Sequence, residues 1–325
     1  MIRRSLALAG ALWLAAVPAA RAADAAAGFP AKPVRMIVGY APGGGTDIMG
    51  RIIAQELTKT LAQQFVVENR PGAAQNLGAE LVARSPADGY TLFMSSAAHG
   101  INISLYPKLS YHPVRDFAPV ALFAISPNLL LVHPSLPART VKEFIALAKK
   151  NPGKLNYSSS GSGSTQHLSG EMLQLMAGIS VVHVPYRGTG PSMTALISGE
   201  VEFSFANIPS SLNYVQANRM RAIAITSAKR SALLPELPTM IEAGVPGFET
   251  ATWYGILAPA GTPREIVVKL NRTVNGIVKN PEFSQRLAQL GADPVAETPE
   301  QFADYLKTEI ERWAKVVKAS GAKPE

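Results

Sequence analysis

Apolar and polar positions follow two rhythms along this chain, and the two alternate almost throughout. Short apolar or alternating runs predict strands at residues 34–40, 65–68, 91–95, 155–158, 181–184, 201–206 and 221–226. Between them the apolar positions fall at helical spacing; the first such segment sets Ile53, Leu57 and Leu61 on one face. A last stripe of Phe302, Leu306, Ile310, Trp313 and Val317 predicts a long C-terminal helix. Helix starts are marked as well. "TVKE" from Thr140, "TPRE" from Thr262 and "TPEQ" from Thr298 each put Thr three residues before Glu or Gln, the spacing of a capping box. Pro263 and Pro299 are expected at the first helical position, where a missing N–H costs nothing. Strands alternating with helices predict an α/β protein whose open sheets are covered on both faces.

Two stretches break the rhythm. "DFAPVALFAISPNLLLVHPSLP" contains two strand-like runs with no helix between them, and "LLPELPTMIEAGVPGFETATWYGILAPAGTP" sets an apolar run among Pro and Gly. These are the places where the chain could pass between two lobes. Residues 28–131 with 251–325 would form the first lobe, and residues 132–250 the second.

The first 22 residues stand apart. "MIRRSLALAGALWLAAVPAARA" has a basic start at Arg3 and Arg4, an apolar stretch over 6–17 and an Ala-Arg-Ala site at 20–22. That is the layout of a secretory signal peptide cleaved after Ala22. Its loss removes three arginines and no acid, taking the formal charge from +8 to +5. The remaining Lys and Arg are scattered, which argues against a nucleic-acid partner. With no cysteine in 325 residues, a disulfide framework, a thiolate metal site and a cysteine nucleophile are all excluded. An exported, disulfide-free chain of this length must be held together by its core, as a two-lobed periplasmic protein is.

Candidate chemistry lies in three glycine-rich junctions: "YAPGGGTD" (40–47), "YSSSGSGSTQH" (157–167) and "PYRGTGPS" (185–192). Each ends where a helix should begin, and a helix N-terminus offers unpaired N–H groups and about half a positive charge to an anion. Gly39, Gly44 and Thr46 occupy the Walker A spacing, but Gly45 stands where the phosphate-reading lysine belongs. The dinucleotide fingerprint fails too, because its third glycine position is Ile48. A single carboxylate suits such loops better, since two or three N–H and O–H donors satisfy it. Asp47 fits either a helix-stabilising role or a hydrogen bond to a ligand hydroxyl, amine or bridging water. Arg187 is either a solvated surface charge or the bidentate partner of a second carboxylate. Catalysis finds little support. The five histidines (99, 112, 133, 167, 183) show no metal-ligand spacing, and there is no G-x-S-x-G elbow. A Ser–His pair with His167 is conceivable, with no acid evidently placed to orient it.

Taken together, "YAPGGGTDIMGRIIAQEL", "VVENRPGAAQNLGAELVARSPADGYTLFMSS", "HGINISLYPKLSYHPVRDFAPV", "GKLNYSSSGSGSTQHLSGEML", "VHVPYRGTGPSMTALISGEVEFSFANIPS" and "WYGILAPAGTP" resemble the substrate-binding receptors of tripartite tricarboxylate transporters, also called Bug receptors. The resemblance runs in order over essentially the whole mature chain. It implies a two-lobed periplasmic binding protein of the type II-like Venus flytrap kind, each lobe an open mixed sheet flanked by helices. It further implies a monomer with no cofactor, no metal and no enzymatic activity, handing a small organic acid (di-, tri- or aromatic) to a membrane permease. One carboxylate would be gripped by two loops: Pro42, Gly43, Gly44, Gly45, Thr46 and Asp47 from the first, and Ser159, Ser160, Gly161, Ser162, Gly163, Ser164, Thr165 and His167 from the second. Tyr40, Ser96, Arg187, Ala206, Asn207 and Trp253 complete the candidate ligand-binding set. Two departures bear on the ligand. Ala206 in "FANIP" replaces a frequent Asp, which argues against an amine-bearing ligand, and Gln75 follows "PGAA" where a small residue is usual. Tyr40, Phe205, Trp253 and Tyr254 would suit a partly apolar acid or a core equally. The rival readings are a receptor that signals to a membrane sensor and a Ser/His hydrolase.

Overall fold

The structure, a computed structural model, describes residues 28–324, so the leader and its cleavage site lie outside the described residues. Ten strands and ten helices follow in the order β1 Val34–Val38, α1 Gly45–Leu61, β2 Phe65–Asn69, α2 Asn76–Ala83, β3 Thr91–Ser96, α3 Ala98–Leu105 and β4 Phe117–Val132 among the described residues. Then come α4 Val141–Lys150, β5 Asn156–Ser159, α5 Thr165–Ala177, β6 Val182–Pro185, α6 Thr189–Ser198, β7 Phe203–Asn207, α7 Ile208–Gln216 and β8 Arg221–Ile225. The chain closes with β9 Ala251–Pro259, α8 Arg264–Lys279, α9 Pro281–Gln289, β10 Asp293–Pro294 and α10 Pro299–Ser320.

The strands line up as β2-β1-β3-β9-β4-β7-β5-β6, with β8 and β10 also paired to β4. β1 is parallel to β2 and β3, and β5 is parallel to β6 and β7, as strand–helix–strand units require. β4 and β9 run antiparallel to their neighbours and join the two parallel halves. The stretch read from the sequence as two strand-like runs is one strand of 16 residues. From Phe117 to Pro127 it pairs with β9, and from Asn128 to Val132 it pairs with β7 and β8. Where it changes partners, Asn128 N–H donates to Thr226 Oγ1 (2.8 Å) and Thr226 N–H to the Asn128 carbonyl (2.9 Å). Thr250 N–H, where the chain returns, donates to the Thr226 carbonyl (3.1 Å). These buried bonds replace sheet pairing at the crossing and satisfy backbone groups that water cannot reach.

Both faces of each half are covered, so the strands are buried on both sides and read as apolar runs. On one face Met36, Val38, Met49, Ile53 and Leu57 pack with Val267, Leu270 and Val274 of α8. On the other, Ile37, Phe93, Leu122 and Trp253 meet the α10 stripe of Phe302, Leu306, Trp313 and Val317. Leu130, Phe203, Phe205, Phe144 and Tyr157 form one core of the second half, and Leu129, Leu131, Met193, Leu196 and Ile208 form the other.

Thr298 and Gln301 make the full capping box, and Thr140 Oγ1 caps the Glu143 N–H (3.2 Å). Thr262 does not act as a cap. α8 starts one residue later than the spacing suggests, with Pro263 as its N-cap, and the Thr262 hydroxyl donates to the Pro259 carbonyl instead (2.8 Å).

Candidate functional site

The three glycine loops meet at the carboxyl ends of β1, β5 and β6, on either side of the cleft between the two half-sheets. They interlock closely. A Cβ on Gly188 would lie 3.0 Å from Ala41 N, one on Gly190 3.0 Å from the Pro42 carbonyl, and one on Gly44 3.2 Å from Thr189 Cβ. Glycine is needed here for close approach of two backbones, and Gly188 also takes φ +135°.

Between the loops is a small cavity of about 20 Å³, room for one or two water molecules or a carboxylate head. Five helix N-termini supply its wall: Gly44 and Thr46 from α1, Ala98 from α3, Ser164, Thr165 and Gln166 from α5, Thr189 from α6 and Asn207 from α7. Tyr40, Ser96, Ser160 and Thr252 complete it. Among the described residues the lining holds hydroxyls, amides and backbone but no charged side chain. α1, α3, α6 and α7 have no side-chain cap, so their first N–H groups have neither a helical nor a side-chain cap partner. The result is a concentration of positive dipole ends without a cation. A wider cavity of about 750 Å³ opens outward, sharing Tyr40 and Ser160 with the inner one and reaching Gly161, Ser162 and Arg187.

Several candidates shape this wall without lining it. Asp47 is turned back into its own loop. Its carboxylate accepts from Gly43 N–H (3.0 Å) and Asn69 Nδ2 (2.9 Å) and pairs with Arg51 (2.9 Å). Burial alone would raise its pKa, but the hydrogen bonds from Arg51, Gly43 and Asn69 outweigh it and hold the carboxyl below the usual range. Asp47 is therefore an ionised staple of the turn, joined to Gly43, Asn69 and Arg51. Replacing it by Ala leaves the Gly43 N–H without its acceptor and Asn69 Nδ2 with the Tyr40 carbonyl alone (3.0 Å), so Asp47→Ala is expected to cost about 1–3 kcal/mol of stability. Urea unfolding checks this; an unchanged midpoint would show that the staple carries no energy.

The second loop is held from behind in the same way. Ser160 N–H donates to Gln166 Oε1 (2.6 Å), Gly161 N–H to Ser159 Oγ (3.1 Å) and Gly163 N–H to His167 Nδ1 (3.1 Å). Because His167 accepts at Nδ1, its proton sits on Nε2, which faces Glu171 at 3.8 Å. Its ring stacks on His183 (centroids 4.0 Å apart), and His183 Nε2 lies 2.6 Å from Ser159 Oγ. Burial holds His167 neutral, with its pKa lowered to about 4, and lowers His183 to about 3 with help from His167. The conceivable pairing of a serine hydroxyl with the His167 ring does not form among the described residues; the serine–histidine contact is Ser159, fully buried, with the half-buried His183, and His167 supports the loop.

Three candidates lie elsewhere. Trp253 is fully buried and edge-on to Phe302 at 5.6 Å, within the core under α10. Ala206 points into the apolar cluster of Leu129 and Met193, so an Asp there would not reach the cavity. Gly45 is a wall, not a donor gap: a Cβ there would lie 2.3 Å from Asn207 Oδ1 and 2.5 Å from Tyr254 Oη. Gln75 does not narrow the pocket. It is buried with φ +71° and fixes Ser96, whose Oγ donates to Gln75 Oε1 (3.2 Å). Among lining residues outside the candidate set, Gln166 and Thr189 lay within the quoted glycine loops, whereas Ala98 and Thr252 carry no sequence signal. No group of three or more His, Asp or Glu residues is placed to hold a metal, and no helix is long and apolar enough to cross a membrane, among the described residues.

Comparison with known proteins agrees over the whole fold. The profile of the tripartite tricarboxylate transporter family receptor matches residues 49–322. The chain is 38% identical to protein BugT of Bordetella pertussis over 297 residues, 91% of each chain. It is similar to R. palustris Rpa4515, solved with adipate, at 40% identity and a TM-score of 0.89 over 91% of this chain and 100% of that one. It is also similar to MatC of Rhodopseudomonas palustris, solved with bound malate, at 36% identity and a TM-score of 0.85 over 89% of this chain and 100% of that one.

Proposed function

This chain belongs to the tripartite tricarboxylate transporter receptor family, and from that premise we propose that it captures a small organic carboxylate in the cleft between its lobes. Receptors of this family are periplasmic binding components of transport systems, not enzymes. The observation that carries the carboxylate reading is the convergence of five helix N-termini on a cavity lined by hydroxyls and amides, with no charged side chain. Donors and dipole ends without a cation match one unit of negative charge, whereas a polyphosphate would leave most of its charge unmatched. Neutral walls also avoid an ion pair whose desolvation would offset its attraction. The adipate and malate of its structural relatives are ligands of this class.

The capture cycle follows from the geometry. A carboxylate head docks on the N-termini of α1 and α5, one on each side of the cleft, and draws the loops together. Closure expels water and strengthens each hydrogen bond to the head. The closed, liganded form is then the one a permease of the tripartite type would recognise, by a shift of population. The receptor acts as a monomer, its leader leaves after Ala22, and its lobes comprise residues 28–131 with 251–325 and residues 132–250. The exchange of partners by β4 at Asn128 supports setting the first limit a few residues earlier.

A thermal-shift series on mature protein with di-, tri- and aromatic carboxylic acids and their amides tests the reading. A matched acid at a hundredfold excess over Kd should stabilise by about 2.7 kcal/mol, raising Tm, while its amide does not. Equal stabilisation by the amides would overturn the carboxylate assignment.

A further inference from the structure

The outer cavity differs in chemistry from the inner one. Its walls come from both sides of the cleft and include Pro71, Ala73, Ala74 and Leu77 opposite Tyr186 and Pro191. Among its described lining residues Arg187 is the one that carries charge. Arg187 is exposed, and no ion pair engages it among the described residues; its carbonyl accepts from Ala41 N–H (3.4 Å) and so anchors the residue at the junction of the lobes. Glu200 accepts from the hydroxyl of the neighbouring Tyr186 (2.7 Å). The Ala73–Ala74–Gln75 turn takes φ of +45°, +45° and +71°, and its Ala73 and Ala74 line the facing wall. Thr189, two residues beyond Arg187, already lines the inner cavity, and two residues span at most about 7 Å.

We infer that Arg187 binds the distal carboxylate of an unbranched dicarboxylate, whose proximal carboxylate occupies the inner cavity and whose apolar spacer crosses the outer one. The inference rests on the carboxylate reading above and narrows it to diacids of about adipate length. A guanidinium stays charged at any relevant pH and presents two parallel N–H groups to a carboxylate. Pro71, Ala73, Ala74, Leu77 and Pro191 give the outer cavity an apolar side that matches methylenes, beside the serines and tyrosines that also line it.

The test is calorimetric titration of mature wild type, Arg187→Gln and Arg187→Lys with adipate, hexanoate and malate. Hexanoate has the same carbon chain with a single carboxylate, and malate has two carboxylates on a short hydroxylated spacer. Wild type should bind adipate about two- to fivefold more tightly than hexanoate, and more tightly than malate. In Arg187→Gln the adipate-to-hexanoate ratio should fall towards one, and Arg187→Lys should restore part of it. Equal affinity of wild type for adipate and hexanoate, a preference for malate, or an unchanged ratio in Arg187→Gln would overturn the inference while leaving a carboxylate receptor. Binding of none of the acids, including those of the thermal-shift series, would overturn the carboxylate reading and the inference with it.

Discussion

Gly45→Ala is expected to weaken ligand capture by about tenfold to a hundredfold while the protein still unfolds in a cooperative transition. The added methyl would sit 2.3 Å from Asn207 Oδ1 and 2.5 Å from Tyr254 Oη, well inside van der Waals contact. Neither neighbour gives way cheaply. Asn207 Oδ1 accepts from Ser210 Oγ (2.8 Å) at the start of α7, and Tyr254 is fully buried on β9. Overpacking of this kind typically costs about 1–3 kcal/mol. Gly45 belongs to the first-lobe loop and Asn207 to the facing half-sheet, so the Asn207 share of that cost falls on the closed state that holds ligand, while the Tyr254 share, from β9 of the same lobe, falls on stability. An affinity loss with a smaller loss of stability is therefore the expected signature. Calorimetric titration beside urea unfolding measures both. Wild-type affinity in the variant would show that the loops do not close to the distance seen here. A lysine at the same position fits even less, because the space is taken by Asn207 of the facing half-sheet and Tyr254 of β9.

Stability is expected to fall steeply as pH drops from about 6.5 towards 4. Three histidines are neutral: the buried His99, beside the Pro113 carbonyl (2.8 Å) and lowered to about 4 chiefly by burial, the buried His167 (about 4) and the half-buried His183 (about 3). In the unfolded chain each takes a proton near its ordinary 6.5. Between those values the unfolded state binds protons that the native state refuses, so stability rises with pH there and is lost on acidification. Each histidine contributes a slope of up to about 1.4 kcal/mol per pH unit. Glu171 works in the opposite sense above 4.5, because burial raises its pKa and the native state then holds more protons there. It offsets part of one histidine's effect. Urea melts at pH 7, 6 and 5 should show the slope, and His99→Gln should reduce it. A flat profile over that range would falsify the neutral state of these residues. Because His167 and His183 brace the loop that grips the ligand, affinity should decline over the same range.

Much of the fold is legible in the sequence because it depends on local periodicity. The strands predicted at 34–40, 91–95 and 221–226 appear as Val34–Val38, Thr91–Ser96 and Arg221–Ile225. The α10 stripe and the Thr298 capping box are equally local. Thr262 misled because a capping-box spacing does not fix which residue starts a helix, and Pro263, with ψ of 131°, is still outside α8. The 16-residue β4 read as two runs because its two ends serve different half-sheets, a difference with no signature in composition.

The site divides along the same line. By itself the sequence determined that three glycine-rich loops precede helices and that they offer donors without a lysine, since glycine spacing and helix onset are short-range properties. It could not determine which of those residues face one another. Asp47 and His167 occupy equivalent places in their loops and are set among the gripping residues by resemblance alone; what the sequence could not show is that each accepts a hydrogen bond from a backbone N–H of its own loop. Arg187 and Ser160 share one cavity although they are far apart in the chain, and Thr252 joins the wall only because β9 returns through the junction. Those placements depend on contacts between lobes. They were decided when β4 and β9 brought the carboxyl ends of two separate parallel sheets to a common cleft, a long-range geometry that no local pattern of residues encodes.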